Sequence, residues 1–166
     1  MSHRAQIQGQ VFVFLLALVI VAAILFLGYK GVQMISEQAK TAQLEKFKDA
    51  VTNDVQLYQD SGSASAEIRY NLPSSVQYVC FLDSGPYDPN NRICDSLSGD
   101  DYHLSACNAW EGSTHSVFII PIQKNFELKI KTLAVDGRAF CIKTLLGSIK
   151  VKYEGQGDTT LVKAVL

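Results

Sequence analysis

No charged residue stands between Gln6 and Tyr29, no proline precedes Pro73, and no cysteine precedes Cys80. The missing charges exclude an ordinary solvated surface helix over residues 6–29. The missing prolines leave residues 1–72 without the commonest helix breaker. The chain also has no C-x-x-C pair, which argues against a zinc ribbon or a thiol redox site. It has no G-x-S-x-G elbow, no phosphate-cradling glycine loop and no EF-hand loop. An enzyme is therefore not expected, and no cofactor is implied. A formal net charge of −1 supplies no cationic excess for a nucleic-acid partner.

The chain does contain one long apolar run. From Val11 to Gly28 there is no polar side chain, and Arg4 and Lys30 bracket the uncharged stretch. As a helix the run spans roughly 27 Å, close to the ~30 Å hydrocarbon core of a bilayer. Its apolar groups go all the way round, so it belongs in lipid or inside an apolar assembly. A cleaved secretory signal fits poorly, because the run is long and Gly28, Tyr29, Lys30 and Gly31 make no small-x-small site. A plain single-span anchor fits. The short tail before the run carries Arg4 and no acid, which places the N-terminus inside and the rest of the chain outside.

The junction before the run reads His3, Arg4, Ala5, Gln6, Ile7, Gln8, Gly9, Gln10. It resembles the class III, prepilin-type signal of archaeal type IV pilins and archaellins. In that family a basic and a small residue precede the cut, and a Gln, any, Ser, any, Glu pattern leads into a retained apolar helix. Arg4 and Ala5 match the residues before the cut, and Gln6 matches the first residue after it. Gln8 stands in place of the Ser and Gln10 in place of the Glu. The resemblance implies cleavage between Ala5 and Gln6 by a prepilin peptidase. It also implies that copies of the chain assemble through the N-terminal helix. Gln10 can accept a hydrogen bond from a neighbour's new terminal amine but cannot neutralise it. The same glutamines also suit a headgroup region, where they would satisfy the first turn's N–H groups.

Beyond the span, Val32, Ile35, Ala39, Leu44, Phe47, Val51, Val55 and Tyr58 recur at three- and four-residue intervals. The reading is one helix from about Gln8 to about Gln59, with an amphipathic outer part whose stripe packs on the following domain. Asp60-Ser61-Gly62-Ser63 ends it. The period then changes to two. Alternating or apolar strands are expected over 66–72, 76–82, 117–122, 126–131, 139–145, 149–153 and 160–166. Pro121 marks a bulge or an edge. The expected fold is α+β, a long N-terminal helix followed by a small antiparallel sheet or sandwich. The parts are a tail or leader (1–5), a transmembrane helix (6–29), a helical stalk (30–60) and an extracytoplasmic β domain (61–166). Arg69, Lys129, Lys131, Lys143, Lys150 and Lys152 fall at outward strand positions and read as a solvated face.

Asp83–Glu111 reads as a long acidic insertion with Asp83, Asp88, Asp95, Asp100, Asp101 and Glu111 against Arg92. Calcium there, or zinc from Cys94, His103, Cys107 and His115, matches no standard spacing. Tyr102 and Trp110 are either exposed adhesive groups or an apolar plug under the loop. The four cysteines lie behind a hydrophobic N-terminus, which points to disulfides outside the cytoplasm. Three pairings are possible. We expect Cys94–Cys107 to staple the insertion and Cys80–Cys141 to join two strands. Two functions follow: a structural, pilin-like subunit of an archaeal cell-surface filament, or a non-assembling single-span anchor bearing a binding domain. The partners are the lipid bilayer, copies of the chain and the processing peptidase.

Overall fold

The computed structural model describes residues 4–97, 99, 103–112, 115–121, 126 and 128–165, with side chains from Val11 onward. The chain is α+β. It divides into two compact units, residues 1–41 and 42–166.

Helix α1, Arg4–Asp60, runs through both units. Its described part is already helical at Arg4, ahead of the expected start near Gln8; Ala5, Gln6 and Gln8 are good helix formers. Gly62, at φ 69°, supplies the left-handed turn that ends it. In the first unit the helix is exposed on every side from Val11 to Ala39. Val32 and Ile35 are included, so the expected stripe is not covered at its start. Burial of apolar side chains begins at Leu44. Phe47, Val51 and Val55 are fully buried, and Leu44 and Tyr58 are half-buried.

The second unit holds two sheets. One runs in the order β1 (Ser65–Asn71), β6 (Ser148–Gly155), β7 (Thr160–Ala164), β4 (Leu133–Val135). Its pairs are antiparallel except β4 with β7. The other runs β3 (Val117–Ile120), β2 (Tyr78–Leu82), β5 (Ala139–Lys143), all antiparallel. The first sheet alternates buried and accessible side chains, as one dry face requires. Tyr70, Ile149, Val151, Tyr153 and Val162 join Phe47, Val51 and Val55 in the main core. In the second sheet β2 is dry on both faces, which explains its continuous apolar run, whereas β5 is only half-buried beyond Ala139. Val79 and Phe81 face the main core. Cys80 and Leu82 face a smaller cluster with Ile93, Ala106 and Trp110.

Several expectations for strands and loops change. Residues 126–131 do not form a strand among the described positions. Leu128 makes an isolated bridge to Val117, and the Ser116 hydroxyl and the Ile130 main chain bond to each other, so a side chain replaces the ladder. Phe126, Leu128 and Ile130 are nonetheless buried in the main core, which accounts for their alternation. Residues 83–111 are not loop throughout: α2, Leu104–Glu111, lies within them. The strand after Ala139 stops at Lys143, and Leu145 belongs to a turn.

Candidate functional site

Three features of the chain carry surface or chemistry beyond the core. The first is the apolar part of α1. Its most apolar eighteen-residue window has a mean hydropathy of 3.2 and is 0 % buried. It is a candidate single membrane span by length and composition. Arg4, Ala5, Gln6 and Gln10 all lie on helical backbone at its start; their side chains are outside the described residues.

The second feature is the insertion between β2 and β3. Cys94 is bonded to Cys107 and Cys80 to Cys141. Cys80 and Cys141 are direct cross-strand partners of β2 and β5, with Cα atoms 3.9 Å apart. Cys107 sits on α2, so the first of these bonds ties that helix to the preceding turn. Trp110, also on α2, is 1 % exposed and donates its indole N–H to the Asp83 carbonyl at 3.2 Å. It therefore plugs the insertion onto the second sheet and offers no adhesive surface. Tyr87 packs edge-on against it at 5.7 Å. Arg138, at the β4–β5 turn, lies over the same indole, pairs with Asp88 at 3.4 Å and donates to the Pro86 carbonyl. One arginine thus pins the acidic segment, which sequence spacing could not reveal. A cleft of about 270 Å³ opens beside it, lined by Asp83, Trp110, His115, Ser116 and Lys129.

Among the described residues, no three His, Cys, Asp or Glu side chains converge as a metal site would require. Cys94 and Cys107 are taken up in their disulfide, and a disulfide sulfur is no thiolate ligand. His103 precedes α2 with its ring 4.4 Å from Tyr78. Asp100, Asp101 and Tyr102 lie outside the described residues.

The third feature is the outer side of the first sheet and the β5–β6 turn beyond it. Lys152 and Lys163 both bind Glu154, at 2.8 and 2.7 Å, and hold its carboxyl below the usual range. Arg69 faces Lys150 across the β1–β6 pair. With Lys143 they line a groove of about 300 Å³ that ends at Leu145. Leu145 and Leu146 are 72 % and 106 % exposed. The outward cations were legible in the strand alternation. The leucines were not, because Leu145 reads as the end of a strand over 139–145 and Leu146 carries no turn signal.

Comparison of the chain with protein-family models, with curated proteins and with solved structures gives no significant match.

Proposed function

We propose that the chain is a membrane-inserted, pilin-like structural subunit of a cell-surface filament. The observation that carries this reading is the bare apolar half of α1. It is exposed on every face, and it belongs to the same helix whose later turns form the core of the β domain. Such a helix has two suitable environments, the bilayer and a bundle of its own copies. A subunit stored in the membrane and drawn into a filament would use both in turn.

The resemblance at Arg4, Ala5 and Gln6 supports the same reading, with a prepilin peptidase cutting before Gln6. Arg4 would hold the N-terminus on the inner side, and the two disulfides suit a domain on the outer side. Cutting removes the arginine that resists extraction of the helix. No enzymatic activity and no cofactor enter this reading.

Gln10 favours a second reading, a span that anchors the β domain without assembling. It stands where the family has an acid, and a neutral amide cannot balance a neighbour's terminal amine. Mass spectrometry of the N-terminus from surface-exposed protein separates the two. A chain beginning at Gln6 is expected for the subunit, and Arg4→Glu should abolish the cut. An intact tail through Arg4 leaves the anchor.

A further inference from the structure

The β5–β6 turn combines an unfavourable backbone with a costly exposure. Leu145 and Ser148 exchange both main-chain hydrogen bonds, at 2.9 and 3.0 Å, around Leu146 and Gly147. Both central residues have positive φ, 51° and 71°. This is the two-residue hairpin geometry that favours Asn-Gly, Asp-Gly or Gly-Gly. Gly147 meets the requirement, and a Cβ there would come within 2.9 Å of the Leu72 carbonyl oxygen. Leucine at the first position does not meet it. Folding therefore gives no reason for Leu146, and its side chain, with that of Leu145, stands in solvent.

The surroundings indicate what would cover the two leucines. Arg69, Lys143 and Lys150 are exposed, and no ion pair among the described residues reaches them. Apolar groups at a tip with cations behind it match the layering of an anionic lipid surface, acyl chains below phosphates. The turn also lies at a defined end of the domain. Tyr70, paired with Ile149 beside the turn, is 5.4 Å from Phe47. Tyr153, further along β6, stacks on Tyr58 at 5.7 Å. The turn is thus at the Phe47 end of the domain, where the chain enters at Ala42. Residues 30–41 are the whole link from that end to the apolar run.

We propose that the Leu145–Leu146 turn and the cations Arg69, Lys143 and Lys150 form a docking surface for anionic lipid headgroups. It holds the β domain against the bilayer while the chain is membrane-resident. This rests on reading Val11–Tyr29 as a span.

The test uses the full chain carrying Leu146→Trp, reconstituted in vesicles with brominated acyl chains. The vesicles are phosphatidylcholine alone or phosphatidylcholine mixed with phosphatidylglycerol. Emission is compared with that of the parent chain, in which Trp110 is buried. Added quenching in the mixed vesicles is expected, relieved by high salt. Each of Arg69→Gln, Lys143→Gln and Lys150→Gln should lower the ratio of docked to free domain by about five-fold. Leu146→Asn, which suits the turn better, should keep the fold and shorten the lifetime of domain protection in hydrogen exchange on mixed vesicles. Absence of added quenching overturns the proposal. So does equal quenching in both vesicles with no effect of the glutamine variants. A blue shift that grows with protein density but without bromine quenching would show that another copy covers the turn, which also overturns it. Chain that fails to float with vesicles in alkaline carbonate refutes the span itself, and this inference with it.

Discussion

Tyr70 and Tyr153 bring two phenols and one carboxylate together at the edge of the main core. The Tyr70 hydroxyl is hydrogen-bonded to the Asp54 carboxylate of α1 and lies 2.9 Å from the Tyr153 hydroxyl. Burial raises both phenol pKa values above the usual range; around Tyr70, the Tyr153 hydroxyl and the Asp54 carboxylate push the same way. The sign of the consequence is fixed. The unfolded chain releases these protons near pH 10 and the folded chain retains them, so their contribution is complete below about pH 10 and is lost as pH rises further. The urea midpoint should hold from neutrality to about pH 10 and then fall. A chain carrying both Tyr70→Phe and Tyr153→Phe should fall less steeply there. At neutral pH it should be less stable by about 1–3 kcal/mol, because Asp54 loses its donor. Equal alkaline slopes for parent and variant would show that the pair does not govern the effect.

At the far end of α1, β6 passes close beneath the last helical turn at Gly155. A Cβ on Gly155 would collide with the carbonyl oxygens of Tyr58 and Gly62. Both obstacles are main chain, so the helix end must move. Gly155→Ala should therefore cost on the order of 2–3 kcal/mol in urea denaturation. It should also disturb the Thr160 hydroxyl bond to the Val55 carbonyl, 2.6 Å, seen as faster exchange near Thr160. A variant as stable as the parent would mean that the helix end is loosely held. Nothing in the sequence marks Gly155 for this role, because the groups it passes, at Tyr58 and Gly62, are far from it in sequence. Other elements were legible for definite reasons. The helix could be read because its apolar spacing is regular and proline is absent over sixty residues. The alternating strands of the first sheet could be read because one face is dry. Residues 126–131 misled because burial alternates there without a ladder, and α2 was hidden because only Ala106, Cys107 and Trp110 face inward along it. At the surface, outward cations were visible in the alternation. The Arg138 clasp on Asp88 and Trp110 joins positions far apart in sequence, and the leucine turn carries no turn signal at its first residue.

The two units differ in what holds them. Every residue of the main core lies at or after Leu44, and both disulfides lie within the second unit. The apolar run contributes no side chain to either core cluster. In isolation it is a lone helix with no tertiary packing to stabilise it. Removing residues 1–41 should then leave a domain that is soluble without detergent and melts within a few degrees of the full chain. The stripe from Leu44 to Tyr58 has to remain. Phe47, packed between Tyr70 and Phe126, closes one end of the core. Its replacement by alanine should cost about 3–5 kcal/mol. Scanning calorimetry of the truncated chain, with and without Phe47→Ala, checks both halves of the argument. A truncated chain without a cooperative transition would show that residues before Ala42 support the domain. An unchanged melt on Phe47→Ala would show that the later turns of α1 are not part of its core. With both outcomes as expected, the apolar half of α1 is left with no role in folding the domain, and its uniform apolar surface is that of a candidate membrane span.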